Sequence, residues 1–237
     1  MPEERKSVGK RLPDVRLIDA DGRSLSLIEI VDGKPLVISL IYTRCTTACL
    51  LITDSLIDVV DKIGGLGEKY NVLTLSFDPA DTPERLREYR DRFGLKRKGW
   101  IVAGGDKAEV ERLLKAIDFQ YILDKATGEF IHPNLLLVLT PDGRVSRYIY
   151  GVSYKERDLR LSLINAKKGI SSLSIPEGIL LRCYRFNPLT GNYETDWAFI
   201  IHLFGGVSFF LSVSIVLWRM RLLSFFKRRF GSTDLKG

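Results

Sequence analysis

A strand-like apolar run, Pro35 to Tyr42, passes almost at once into Ala48 to Ile63, whose apolar residues recur at helical spacing and stop at Gly64-Gly65. A buried strand handed directly to an amphipathic helix is a unit of open α/β sheets, and such sheets carry their chemistry at these junctions. This junction holds two cysteines, in Ile41-Tyr42-Thr43-Arg44-Cys45-Thr46-Thr47-Ala48-Cys49. Soft ligands are otherwise scarce among the 237 residues: one further cysteine, Cys183, and two histidines, His132 and His202. Three cysteines do not suggest a disulfide scaffold.

Cys45 and Cys49 are spaced i, i+4. On one regular helix their Cβ atoms would stand roughly 5–6 Å apart. A relaxed disulfide asks for about 3.8 Å. A metal joining two thiolates asks for less, since zinc–sulfur bonds of about 2.3 Å leave the sulfurs on the order of 4 Å apart. The spacing favours metal capture over a rigid bridge, with a disulfide still open at a deformable helix start. Arg44 and the helix N-terminus are both expected to favour the thiolate.

The same alternation continues on both sides. Val15–Ile18 and Leu25–Ile30 read as an opening hairpin around Asp21-Gly22. Val72–Phe77 is a second buried strand, and Thr82–Phe93 a charged amphipathic helix started by Asp81-Thr82-Pro83-Glu84, with Asp81 as its expected cap. Trp100–Val102 is a short strand and Lys107–Ile117 a helix. Leu135–Thr140, the turn Pro141-Asp142-Gly143 and Arg144–Tyr150 form a hairpin, and Tyr154–Lys167 a closing helix. The order is that of a thioredoxin-like fold: a central mixed sheet flanked by helices.

The domains expected are therefore a thioredoxin-like domain over 1–167, a linker over 168–196, one transmembrane helix over 197–218, and a basic tail over 219–237. Ala198 to Trp218 is a 21-residue run without Asp, Glu, Lys or Arg. As a helix it would span roughly 31 Å, close to a bilayer's hydrocarbon core. Trp197 and Trp218 stand as interface anchors. The tail after it carries six basic residues against Asp234, so most of the chain's net charge of +7 belongs to the tail. That placement argues against nucleic acid and for anionic lipid. The positive-inside rule puts the tail in the cytoplasm and the domain outside it, in the periplasm or on the outer face of the plasma membrane. Met1–Arg11 is polar and lacks an apolar signal core, which conflicts with that orientation; the charge of the tail is given the greater weight. Cys183 is read as a packing residue, with a resolving thiol or an extra copper ligand as alternatives, and His202, near the Trp197 end of the expected membrane helix, as a side chain that reaches the interface.

Three separate segments together resemble the Sco/SenC family, thioredoxin-fold proteins associated with copper delivery to cytochrome c oxidase. They are Tyr42-Thr43-Arg44-Cys45-Thr46-Thr47-Ala48-Cys49; Leu75-Ser76-Phe77-Asp78-Pro79-Ala80-Asp81-Thr82-Pro83; and Phe130-Ile131-His132 followed by Leu139-Thr140-Pro141-Asp142-Gly143. The likeness covers roughly residues 10–152. It implies that Cys45, Cys49 and His132 bind a copper ion and that Asp78 is an acidic residue near them; Asp78 itself reads equally as a group that orients His132 or tunes the thiolates and as a turn former before Pro79. It also implies an oxidase copper-site subunit as partner. The family's proline after the second cysteine is Leu50 here, which bears on loop geometry and removes no ligand. An anchor that follows the domain suggests a bacterial-type relative.

Two functions follow as expectations. One is a membrane-tethered metallochaperone that holds copper at Cys45, Cys49 and His132. Two thiolates and an imidazole suit Cu(I), whereas structural zinc asks for a fourth ligand. The other is a thiol–disulfide oxidoreductase in which Cys45 and Cys49 cycle, reducing cysteines of the oxidase copper site or of other extracytoplasmic targets. His132 discriminates, because a pure reductase has no need of it. A peroxide-reducing enzyme would need its own activating motif around one cysteine, and none is present.

Overall fold

In a computed structural model of the chain, the residues described are 2–171, 184–187, 192–195, 201, 204–206, 208–210, 212–215 and 217–220. By contacts the chain divides into a first unit, Met1–Ile175 with Phe186–Asn192, and a second, Pro176–Arg185 with Tyr193–Gly237.

The first unit is built on one seven-stranded mixed sheet. In chain order its strands are β1 (Arg16–Asp19), β2 (Ser24–Ser26), β3 (Leu36–Ile41), β4 (Asn71–Ser76), β5 (Trp100–Gly104), β8 (Leu135–Leu139) and β9 (Val145–Tyr150), and across the sheet they run β2-β1-β5-β4-β3-β8-β9. β3, β4 and β5 are mutually parallel; β8 and β9 on one side and β1 and β2 on the other are antiparallel. β3, β4 and β8 are buried at every residue. Their Val, Ile and Leu content suits strands covered on both faces, as the unbroken apolar runs predict. Helices α3 (Ala48–Ile63) and α6 (Glu156–Lys167) pack on each other and on β3, β8 and β9; α4 (Pro83–Arg92) and α5 (Lys107–Ala116) pack on β5 and β1.

Registry fixes where the loops emerge. Ile41 pairs with Ser76 at the carboxyl ends of parallel β3 and β4. β8 runs antiparallel to β3 with Ser39 opposite Leu136, so its amino end lies at that same sheet edge. The segments after β3, after β4 and before β8 therefore leave the sheet together. They are the three segments that carry the cysteines, Asp78 with Asp81, and His132.

Most expected elements appear within a residue or two. The opening hairpin is the exception. β2 ends at Ser26, and Leu27–Val31 is the short helix α2 rather than a continuing strand. A capping box explains it: Ser26 Oγ accepts the Glu29 N–H at 3.2 Å while Glu29 Oε2 accepts the Ser26 N–H at 2.6 Å. Two small features were not foreseen, a helical turn α1 (Glu4–Ser7) and a two-residue ladder of β6 (Ile122–Leu123) with β7 (Phe130–Ile131). The polar start of the chain is folded onto the sheet beyond β9, where Gly9 and Lys10 bond Val145.

In the expected linker, β10 (Tyr184–Asn187) and β11 (Asn192–Thr195) pair with each other across the expected Asn187–Gly191 turn. Cys183 and His202 lie outside the described residues. Among the described residues no helix is long and apolar enough to cross a membrane. The described positions between 201 and 220 are helical, and Phe204, Phe209, Phe210 and Trp218 among them are exposed.

Glu4 is buried beside Tyr150 and Arg147, and burial, opposed by both of them, raises its carboxyl from 4.5 to about 7. The folded state thus holds a proton that the unfolded state has lost between those values. Glu4 therefore lowers stability as pH rises from 4.5 to about 7. Glu4→Gln is expected to remove a loss on the order of 2–3 kcal/mol over that range. Urea unfolding of both proteins at pH 5 and pH 8 measures it.

Candidate functional site

The segment after β3 does not enter its helix at once. α3 begins at Ala48, so Cys45 lies outside it and Cys49 in its first turn. The two cysteines therefore do not share one regular helical face, and the helix imposes no i, i+4 separation on their sulfurs. Thr47, the cap residue, makes no side-chain cap bond. The sulfur of Cys45 serves instead, accepting the Cys49 N–H at 3.4 Å. An orphan donor at the positive end of a helix is thus satisfied by a group able to carry negative charge.

This geometry separates the two thiols. Both are free and buried. Cys45 is held well below the ordinary thiol range, first by a hydrogen bond from the Cys49 thiol, then, against the cost of burial, by the backbone N–H groups of Cys49 and Thr47 and by Tyr42. Cys49 is pushed up by that same bond, by burial and by the Cys45 charge. Cys45 is the thiolate and Cys49 the thiol that steadies it.

Arg44 plays a different part from the one expected. Its guanidinium binds Asp78 Oδ2 through Nη2 at 2.8 Å and Nε at 3.2 Å. It does not figure among the groups that lower Cys45. The Asp78 side chain is 3% exposed and also accepts the Ala80 N–H at 2.9 Å. Among the described residues its hydrogen bonds go to Arg44 and its own turn rather than to His132.

His132 precedes β8 and is buried in an aromatic wall. Its ring centre lies 5.9 Å from that of Tyr42, 5.1 Å from Phe77 and 6.0 Å from Phe119. Nδ1 stands 3.1 Å from the Pro133 carbonyl oxygen. A carbonyl only accepts, which assigns the proton to Nδ1 and leaves Nε2 a lone pair. Burial lowers the ring's pKa against the pull of that carbonyl and of Cys45. The imidazole is neutral at pH 7, as a metal ligand must be. Its electrostatic contact with Cys45 puts it near the pair, but among the described residues no three His, Cys, Asp or Glu side chains are grouped closely enough to hold a metal ion. The two sulfurs are brought together, while His132 stands off from them against the Tyr42 ring.

Asp81 is not the cap of α4. Thr82 takes that place, its Oγ1 accepting the Arg85 N–H at 3.5 Å, with Pro83 in the first turn. Asp81 instead receives Thr43 and Ser76. The sequence reading also passed over the ring wall, in which Tyr42 meets Phe77 and Phe130. Tyr42, Phe77 and Phe130 lie inside the motif segments and Phe119 outside them, but ring contacts are long-range and leave no periodic signal. Leu50 leaves the helix start undisturbed, since α3 runs through it unbroken.

A family model described as SCO1/SenC matches residues 5–161. A solved protein of Aquifex aeolicus VF5, named for electron transfer, is 38% identical over 68% of this chain and 95% of its own, with a TM-score of 0.66. A copper-bound ScoI of Arabidopsis thaliana is 19% identical over 68% and 99%, with a TM-score of 0.57. BsSco, from a study of a disulfide switch in that member of the Sco family of cytochrome c oxidase assembly proteins, is 22% identical over 71% and 96%, with a TM-score of 0.58. The last two show likeness of fold. No curated protein matches the chain.

At pH 7, iodoacetamide is expected to modify Cys45 at least about tenfold faster than Cys49, as their opposite thiolate character requires. Peptide mapping over time reads both sites and separates them from Cys183.

Proposed function

We propose that this chain, which belongs to the SCO1/SenC family, is a copper-binding Sco protein that holds one copper ion as cargo at Cys45, Cys49 and His132. The observation that carries the reading is the donor set at one sheet edge: a thiolate, a thiol bonded to it, and a neutral imidazole whose Nε2 is unprotonated. Soft sulfur and borderline imidazole match Cu(I). The copper-bound ScoI of similar fold supports the same cargo.

The residues divide the work. Cys45 is the first donor, already a thiolate. Cys49 gives up its proton to become the second, so uptake releases about one proton. His132 completes the set by a small approach, its Nδ1–H steadied by Pro133. Tyr42, Phe77 and Phe119 pack around the imidazole and keep water from it. Delivery is ligand exchange with a recipient's own donors, and an oxidase copper-site subunit is the recipient proposed, in line with the assembly role named for BsSco. The apolar run 198–218 and the basic tail support a membrane tether, with the domain outside the cytoplasm. A tether would raise the local concentration at a membrane-bound recipient.

A second reading is a thiol–disulfide oxidoreductase. The closeness of the two sulfurs, with His132 apart from them, favours it. Here Cys45 attacks a substrate disulfide, and Cys49 then displaces the reduced thiol, its proton passing to the leaving sulfur.

Cu(I) titration of the reduced chain separates the two. The copper reading expects about one ion per chain, and His132→Ala should weaken binding by at least tenfold, about 1.4 kcal/mol. Equal and weak binding by both proteins would leave the oxidoreductase reading. A chain ending at residue 196 is expected to leave the membrane fraction on carbonate extraction, while the full chain stays.

A further inference from the structure

Three polar groups converge on the carboxylate of Asp81. Oδ2 accepts the Thr43 N–H at 2.8 Å and the Ser76 hydroxyl at 2.5 Å; Oδ1 accepts the Thr43 hydroxyl at 2.5 Å. The Asp81 N–H is itself bonded to the Asp78 carbonyl at 3.1 Å, so the carboxylate is held from behind by its own turn. Ser76 is the buried last residue of β4. Thr43 lies two residues before Cys45. A loop that carries a sulfur is thereby tied to the rigid end of a central strand. Hydrogen bonds to a carboxylate are roughly twice as strong as neutral ones.

The tied residue is next to the one that touches both sulfurs. Tyr42 is among the groups that lower both Cys45 and Cys49, and its ring packs against Phe77 and His132. The Cys45 N–H turns back onto the Tyr42 carbonyl at 3.2 Å. Holding Thr43 therefore holds Tyr42 on one side and the start of the cysteine turn on the other. Arg44 is held as well, by Asp78, whose own N–H bonds Ser76; beyond it the loop has no such tie among the described residues, and Thr46 reaches Glu129 at 3.3 Å on the surface.

We propose that Asp81 is a positioning residue: by clamping Thr43 to Ser76 it stabilises the dithiol arrangement of the cysteine loop and confines movement of the Cys45 sulfur to residues 45–48. The inference rests on the functional reading only in taking Cys45 and Cys49 as the working pair. Its consequence is for the dithiol–disulfide balance. In exchange with glutathione disulfide, the pair gives up two electrons and the Cys49 thiol its proton; the glutathione S–S bond breaks, one S–S bond forms between Cys45 and Cys49, and two glutathione thiols leave, the second taking its proton from solvent. A clamp that favours the dithiol geometry opposes this exchange. Its loss should shift the balance toward the disulfide.

The test is the equilibrium constant of the full chain in glutathione buffers, read by acid trapping and mapping of the peptides carrying Cys45 and Cys49. Asp81→Ala is expected to shift the constant about tenfold toward the disulfide, about 30 mV more reducing. Asp81→Asn can still hold the same partners, its amide oxygen accepting the Thr43 N–H and the Ser76 hydroxyl while its NH2 donates to the Thr43 hydroxyl oxygen, and should stay within about twofold of the unmodified chain. Thr43→Val loses only the hydroxyl bond and should fall between them. A folded Asp81→Ala chain with an unchanged constant overturns the proposal. So does an Asp81→Asn chain that shifts as far as Asp81→Ala, because charge rather than position would then be at work. If Asp81→Ala does not fold, Thr43→Val decides: a shift toward the disulfide supports the clamp, and an unchanged constant overturns it. Failure of the copper reading would show separately, as absence of copper binding by the unmodified chain, and leaves this equilibrium measurable.

Discussion

The parallel pairing of β3 with β4, in register from Leu36 with Asn71 to Ile41 with Ser76, is the constraint on which the site depends. Both strands are wholly buried, and a slip of one residue would turn each side chain to the opposite face. Register is thus fixed by the hydrophobic effect, far from any functional group. Because the strands are parallel, both following loops leave at one edge. Because β8 is antiparallel to β3, the loop before it arrives at the same edge. Residues distant in sequence, Cys45, Asp81 and His132, are gathered by core packing alone.

Within that frame one hydrogen bond organises the chemistry. Helix α3 starts without a side-chain cap, and the Cys45 sulfur takes up the N–H that a cap would have met. The helix gains a partner for its first turn, and the sulfur gains a reason to be ionised. Cys49, one turn on and fully buried, adds a second bond from its own thiol to the same sulfur. The asymmetry of the pair follows first from that thiol bond and then from the backbone N–H groups, and needs no nearby cation. Arg44, the obvious candidate for that role in the sequence, is turned toward the buried carboxylate of Asp78.

What could be read from the sequence was what repeats. The apolar runs of β3, β4 and β8 and the spacing within α3, α4 and α5 carry their own signal, and their bounds came out close. The motif segments named Cys45, Cys49, His132 and Asp78 as residues to watch. What escaped was set by single long-range contacts. A capping box cut the second strand short at Ser26. Asp81 resembled a helix cap because Thr82 and Pro83 follow it, yet Thr82 fills that position and frees Asp81 for Thr43. The spacing of the cysteines assumed one helix, and the helix began three residues later. The expected membrane helix is helical at its described positions, but among the described residues no helix is long and apolar enough to cross a membrane.

The central claim is that the two sulfurs and the His132 nitrogen form one copper site. X-ray absorption at the copper edge of the Cu(I)-loaded full chain tests it most directly. The account predicts a three-coordinate ion with two sulfur neighbours and one imidazole nitrogen, and loss of the nitrogen alone in His132→Ala. A spectrum with sulfur neighbours only, the same in both proteins, would contradict it.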